Sequence, residues 1–261
     1  MTGEYAPLIT MEDCRFRYNS AAEANANNKK ERTPKSTPSW LLENLTLNVS
    51  VGSRIAVIGK NGSGKSTLVK LLCGELSVKG GEFRSHPNLK IAHITQHHIE
   101  HLGAYLEHTP VEYFMIHHKA NNKQEVRQFL GGFGLVGPLA LQLIGTLSGG
   151  QKARLAFATV MYSAPHVLIL DEPTNHLDSD SLESLATAVN GFAGAVVIVS
   201  HNQQFMSQCA KEMWTVANGR VQVQIVDEEL STFDNLYGRY KDGLRKEVRL
   251  QAKENKEMSK R

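Results

Sequence analysis

Apolar residues along the chain follow two spacings, and the alternation between them predicts an α/β fold. Residues 8 to 18 and Asn44 to Ser50 alternate apolar and polar positions, the period of half-buried strands. Arg54-Ile-Ala-Val-Ile58, His166-Val-Leu-Ile-Leu170 and Ala195-Val-Val-Ile-Val199 are instead short apolar runs, expected of strands buried on both faces of a parallel sheet. Ser66 to Cys73 places Leu68, Val69, Leu71 and Leu72 at helical spacing, and residues 147 to 161 form a helix-compatible stretch with Ser148 as its cap. Two alternating runs around Asn218-Gly219, within Glu212 to Ile225, predict a hairpin. Residues 53 to 96 and about 160 to 220 are thus assigned to a parallel-sheet lobe, about 97 to 159 to a helical lobe, and the two alternating strands to an antiparallel part. Residues 19 to 39 hold too few large apolar side chains to pack and are expected to be disordered.

The loop between the first buried strand and its helix carries the strongest chemical signal. Gly59-Lys60-Asn61-Gly62-Ser63-Gly64-Lys65-Ser66-Thr67 fits G-x-x-x-x-G-K-[ST] at every fixed position. Its glycines let the backbone curl so that successive N–H groups face an anion, and the following helix presents its positive end to the same point. Lys65 adds a mobile cation for β and γ oxygens, and the Ser66 hydroxyl is a hard ligand suited to Mg²⁺. The chain is therefore read as a nucleoside triphosphate binder.

Four further segments narrow the chemistry. Leu147-Ser148-Gly149-Gly150-Gln151 opens a helix with a serine and two glycine amides, a second anion site. Asp171-Glu172-Pro173 follows a buried strand, and the carboxyl ends of parallel strands are where such sheets bind ligands. Asp171 suits the outer shell of Mg²⁺, and Glu172 suits a base that orients water. Ser200-His201 ends the next apolar run, and Gln96 ends the run Lys90 to Thr95, offering a neutral oxygen near the metal.

In this order the segments resemble the ATP-binding cassette (ABC) nucleotide-binding domain, over roughly residues 8 to 225. The resemblance implies a P-loop NTPase with a mixed-sheet core lobe, an antiparallel β subdomain and a helical signature lobe, occupying residues 1–230, with ATP and Mg²⁺ as cofactors. It makes Ser66 and Gln96 metal ligands, with Asp171 beside them. Glu172 becomes the catalytic base, His201 the switch histidine, and Ser148 to Gln151 the signature. Asp178 becomes the loop carboxylate that speaks across a dimer, and Tyr18 the ring that stacks on adenine, with Phe16 two residues away. It further implies that each site is closed by the signature of a second cassette docked head to tail, another copy or a missing half. Asn202 departs from the pattern, which commonly has Asp after the switch histidine.

Asp171-Glu-Pro-Thr-Asn-His-Leu-Asp178 and Ile144-Gly-Thr-Leu-Ser-Gly-Gly-Gln-Lys-Ala-Arg154 resemble the ABC-F proteins, soluble ATPases with two cassettes in one chain that act on ribosomes and in translation control. Asn175 and His176 also suit a plain turn. With one phosphate loop, one signature and no room for a long arm between Gln96 and Ser148, the chain resembles the second, C-terminal cassette. The alternatives are the nucleotide-binding subunit of an ABC membrane transporter and a regulatory nucleotide sensor with little turnover.

Composition bounds these readings. With 41% hydrophobic content the 261 residues can bury a sizeable core, and no run approaches the roughly 18 apolar residues of a membrane helix. Met1 to Pro7 has no signal-peptide pattern, and three dispersed cysteines, Cys14, Cys73 and Cys209, make no disulfide framework or metal knuckle, so a cytoplasmic home is expected. Histidines at 97, 98, 101, 117 and 118 invite a metal, but no Cys or carboxylate in sequence completes a tetrahedral set. Residues 231–261 form a basic tail. From Tyr237 onward nine Lys or Arg face four Asp or Glu, while the whole chain carries only +3. Leu236, Tyr240, Leu244 and Val248 recur every four residues, an amphipathic helix that either packs one stripe on the cassette or offers Arg245, Lys246, Arg249, Lys253, Lys256, Lys260 and Arg261 to ribosomal RNA phosphates. No reading involves DNA.

Overall fold

A computed structural model describes residues 7–18, 40–94, 101–174, 179–227, 229 and 231–258. The segment 19–39, Gln96, His97, His98 and Asp178 lie outside the described residues.

Two sheets carry the fold. The smaller holds β1 (Pro7–Phe16), β2 (Leu42–Ser50) and β4 (Gly80–Ser85) in the order β2-β1-β4, all antiparallel. The larger runs β5-β6-β7-β3-β8-β9, from β5 (Ile91–Ile94), β6 (Val167–Asp171), β7 (Ala195–Val199), β3 (Arg54–Gly59), β8 (Glu212–Ala217) and β9 (Arg220–Ile225). Its strands are parallel except β9, which returns from β8 through Asn218-Gly219. Both turn residues have positive φ, 50° and 74°, the conformation a two-residue type I′ hairpin demands.

The apolar runs behave as expected of a sheet covered twice. In β3, Ile55 and Val57 face the antiparallel sheet and α1 (Lys65–Leu72), while Ala56 and Ile58 face the opposite side. β6 and β7 repeat this split, with Val167, Ile169, Val197 and Val199 on one face and Leu168, Leu170, Val196 and Ile198 on the other. The second face is closed by α5 (Ser179–Asn190), α6 (Gln203–Cys209) and the start of α7 (Phe233–Met258). Arg54 opens β3 yet is buried; its guanidinium donates to the carbonyls of Phe192 and Gly194, tying β3 to the turn before β7.

A separate core of Phe114, Leu130, Leu135, Ile144 and Leu155 holds the helical lobe. Its helices are α2 (Pro110–His118), α3 (Lys123–Gly131) and α4 (Gly149–Met161). Capping boxes start two of them, Thr109 with Glu112 and Ser148 with Gln151.

Two expectations are corrected. Residues 80 to 85 do not join the parallel sheet; they form β4 and pair with β1. Its sequence, Gly-Gly-Glu-Phe-Arg-Ser, has no apolar alternation; backbone pairing, Phe83 and the Cys14 thiol, which donates to the Glu82 carbonyl at 3.1 Å, help hold it. In the tail the packed stripe is Phe233, Leu236, Tyr237 and Tyr240, whereas Val248 is 59% exposed. Beyond Leu244, α7 has left the core, which accounts for its charged sequence.

Candidate active site

The order β6-β7-β3 sets three strand ends side by side, and the loops that leave them build one cleft of about 540 Å³. Its lining includes Asn61, Gly62, Gly64, Lys65, Ser66 and Thr67 after β3, Asp171 and Glu172 from β6, and His201 after β7. Gly62 and Gly64 hold φ of 79° and 107°, left-handed values that turn the loop into the first turn of α1. Lys65 Nζ donates to the carbonyls of Gly59 (2.9 Å) and Lys60 (3.1 Å), so the lysine spans its own loop. Burial lowers its pKa, while Glu172 and Asp171 pull it back up.

Two observations test whether this loop fits a triphosphate. Ser63 Oγ is buried without a hydrogen-bond partner, an uncompensated polar atom inside the loop. A Cβ on Gly59 would stand 2.5 Å from Ser63 Oγ and 2.6 Å from the Val216 carbonyl, so this backbone is held as close to β8 as glycine permits. Gly59→Ala is accordingly expected to destabilise the fold by about 1–3 kcal/mol, the range for overpacking. Urea unfolding measures this; a midpoint equal to wild type would contradict the packing.

Glu172 sits on a strained backbone. Its φ is 50°, and its N–H donates to the Val199 carbonyl at 2.7 Å, which fastens the turn after β6 to the end of β7. His201 Nε2 lies 3.4 Å from Glu172 Oε1. Burial raises the Glu172 pKa above the usual carboxylate value; the His201 imidazole and amide oppose this, Asp171 adds to it, and Lys65 opposes it. The result is a carboxylate biased toward holding a proton. Thr174 and Ser200 join the two loops through a 2.9 Å hydroxyl pair that sequence reasoning missed, because nothing in either segment alone signals the other.

Tyr18 and Phe16 separate cleanly. Phe16 is buried core, whereas Tyr18 is 55% exposed, stands edge-on to Phe16 at 5.0 Å, and its hydroxyl lies 3.2 Å from Thr67 Oγ1 at the cleft. Ser148, Gly149, Gly150 and Gln151 line no part of this cleft; Ser148 and Gln151 are engaged with each other as the cap of α4.

A protein-family model described as ABC transporter matches residues 42–175, half of the chain and the whole span from β2 to the turn after Asp171. The chain belongs to the ABC transporter family. The cassette is 43% identical over 181 residues to ATP-binding cassette sub-family F member 3 of Mus musculus, an alignment covering 69% of this chain and 25% of the relative. It is 41% identical over 201 residues to an uncharacterized ABC transporter ATP-binding protein of Schizosaccharomyces pombe, covering 77% and 26%, and 40% identical over 226 residues to ABC transporter F family member 4 of Arabidopsis thaliana, covering 83% and 30%. This cassette spans about a quarter to a third of the length of these curated relatives.

Solved structures agree on the fold. An ATP-binding cassette of an ABC transporter in its ADP conformation superposes with a TM-score of 0.66 at 16% identity, over 88% of this chain and 94% of that one. A dimeric bacterial ABC transporter cassette gives 0.61 at 20% identity, over 83% and 98%. Among the described residues of the cassette no helix is long and apolar enough to cross a membrane.

Asn202, the departure from the family pattern, has a structural role. Its side chain accepts from the Phe205 amide at 2.9 Å and caps α6, and its own amide donates to Ser200 Oγ at 3.0 Å. Asn and Asp serve an N-cap about equally well, so the exchange leaves the loop bearing His201 anchored.

Proposed function

We propose that this cassette binds and hydrolyses ATP with Mg²⁺, and that it does so when a second cassette docks head to tail across the cleft. The observation that carries the reading is a division within one chain: the phosphate loop, Asp171, Glu172 and His201 share a cleft that the signature residues do not line. Phosphates would lie on the amides of Gly59 to Thr67 and on Lys65, and adenine on Tyr18. Ser66 and Asp171, with Gln96, would hold Mg²⁺, which when bound offsets the charge of the phosphate oxygens. Glu172 orients the attacking water and takes its proton, and His201 holds the far side of the reacting phosphate. Ser148 to Gln151 complete the mate's site, so bound triphosphate joins the pair and hydrolysis releases it, a shift between closed and open populations.

The sequence likeness to F-type members directs the output of this cycle to the ribosome. The exposed Arg245, Lys246 and Arg249, on the stretch of α7 where Glu247 pairs with Lys60 and Arg245 with Asp242, support contact with RNA phosphates. Ribosome co-sedimentation of the Glu172→Gln form with ATP tests the proposal. Binding is expected to require ATP and to fall roughly 10³-fold between about 50 and 200 mM salt if some six phosphates are contacted. Co-purification with a membrane subunit and no ribosome binding would favour the transporter reading instead.

A further inference from the structure

Behind Asp171, on the side away from the phosphate loop, three metal-ligating side chains meet that sequence spacing keeps apart. Cys73 ends α1, and Gly74, at φ 74°, reverses the chain so that Glu75 returns beside it. His93 comes from β5, paired with Ile169 of β6, two residues before Asp171 on the neighbouring strand. The sulfur, a carboxylate oxygen and an imidazole nitrogen all lie within 4.8 Å of one another. We propose that Cys73, Glu75 and His93 bind a thiophilic divalent cation of the zinc class, and that Asp171 orients the imidazole that holds it.

The geometry of His93 assigns its two nitrogens. Nδ1 stands 3.8 Å from Glu75 Oε1, on the ligand side. Nε2 is buried, makes no hydrogen bond, and points toward Asp171 Oδ2 at 4.0 Å. A metal on Nδ1 places the ring proton on Nε2, facing Asp171, and closure of the 4.0 Å gap to hydrogen-bond distance completes a carboxylate–histidine–metal relay. Zinc bonds of about 2.3 Å to sulfur and 2.0–2.1 Å to nitrogen and oxygen put tetrahedral ligand atoms some 3.3–3.6 Å apart. The ligand atoms must therefore draw closer than observed, and Glu75, with a half-exposed side chain 3.8 Å from Nδ1, has room to move. Three protein ligands leave a fourth position for water.

The donor set selects the ion. One sulfur, one imidazole nitrogen and one carboxylate oxygen suit Zn²⁺ or Co²⁺, which bond strongly to sulfur, and not oxygen-seeking Mg²⁺. Because the relay ends on Asp171, the occupied site adds positive charge next to a carboxylate of the nucleotide cleft. The binding site itself stands independently of the proposed ATPase cycle.

The test is titration of the untagged full chain with Co²⁺ and competition with Zn²⁺, followed by absorbance. A thiolate-to-cobalt charge-transfer band at one equivalent is expected. Cys73→Ser should abolish the band, Glu75→Gln at its half-exposed position should weaken binding without affecting folding, and Cys209→Ser should leave the band unchanged. Asp171→Asn should reduce affinity about 10–100-fold, the usual effect of losing an orienting partner. Cobalt bound without a sulfur band, as at the surface histidines, or a band that survives Cys73→Ser, would overturn the proposal. An unchanged affinity in Asp171→Asn would overturn the relay.

Discussion

Glu172→Gln is expected to lower ATP turnover about 10²–10⁴-fold while leaving ATP binding intact. The loss follows from the general-base role, since an amide cannot accept the proton of water. Binding survives because Gln keeps the shape, and the backbone that places it, with φ of 50° and its bond to Val199, does not depend on the carboxylate. Single-turnover phosphate release and gel filtration with ATP check both halves, the second as accumulation of a closed pair. Rapid dissociation of that variant with ATP present would contradict the clamp.

The same substitution has a pH signature. Burial raises the folded-state pKa of Glu172 above 4.5, so the native state binds its proton more tightly than the unfolded chain. Stability contributed by the protonated group is present below pH 4.5 and is lost as pH rises through the raised folded value. Glu172→Gln removes that loss, and its melting temperature is expected to exceed wild type near neutral pH and converge with it in acid. Turnover runs the opposite way: wild type loses rate as pH falls through the same raised pKa, and the residual rate of the variant lacks that limb. Parallel melts and rate profiles across this window measure both, and identical melting curves would remove the burial argument.

How much of this was readable from sequence depends on how local each feature is. The phosphate loop, the buried runs and the Asn218-Gly219 hairpin were legible because a few adjacent residues specify each of them. β4 was not, because a Gly-Gly start and a mostly exposed set of side chains give it no hydrophobic period; only its pairing with β1 makes it a strand. No local pattern joins Cys73, Glu75 and His93, since their meeting requires the register of β5 on β6 and the reversal at Gly74. The join between Thr174 and Ser200 fails for the same reason. Separating Phe16 from Tyr18 needed exposure, which alternation in β1 could not decide once register shifts enter near Cys14. The division of the cleft from the signature is likewise a tertiary fact, although each motif is legible in the sequence by itself.

Lys65→Ala is expected to lose ATP affinity by roughly 10²–10⁴-fold, as two charge-assisted contacts of about 1.5–3 kcal/mol each disappear. Lys65→Arg should restore little, because a planar guanidinium cannot take the place of a point charge that fits between the Gly59 and Lys60 carbonyls. Loss of the ammonium also leaves Asp171 and Glu172 facing each other without the cation that moderates them, so the Glu172 pKa rises further. A double-mutant cycle therefore has a definite sign: the stability change on Lys65→Ala is less favourable in the wild-type fold than in Glu172→Gln, where one of the two carboxylates is already neutral. Titration with a fluorescent ATP analogue and denaturant melts of the four proteins give both numbers. Unchanged nucleotide affinity in Lys65→Ala would count against the site, and strict additivity in the melts would show that the lysine and the carboxylate do not sense each other across the cleft.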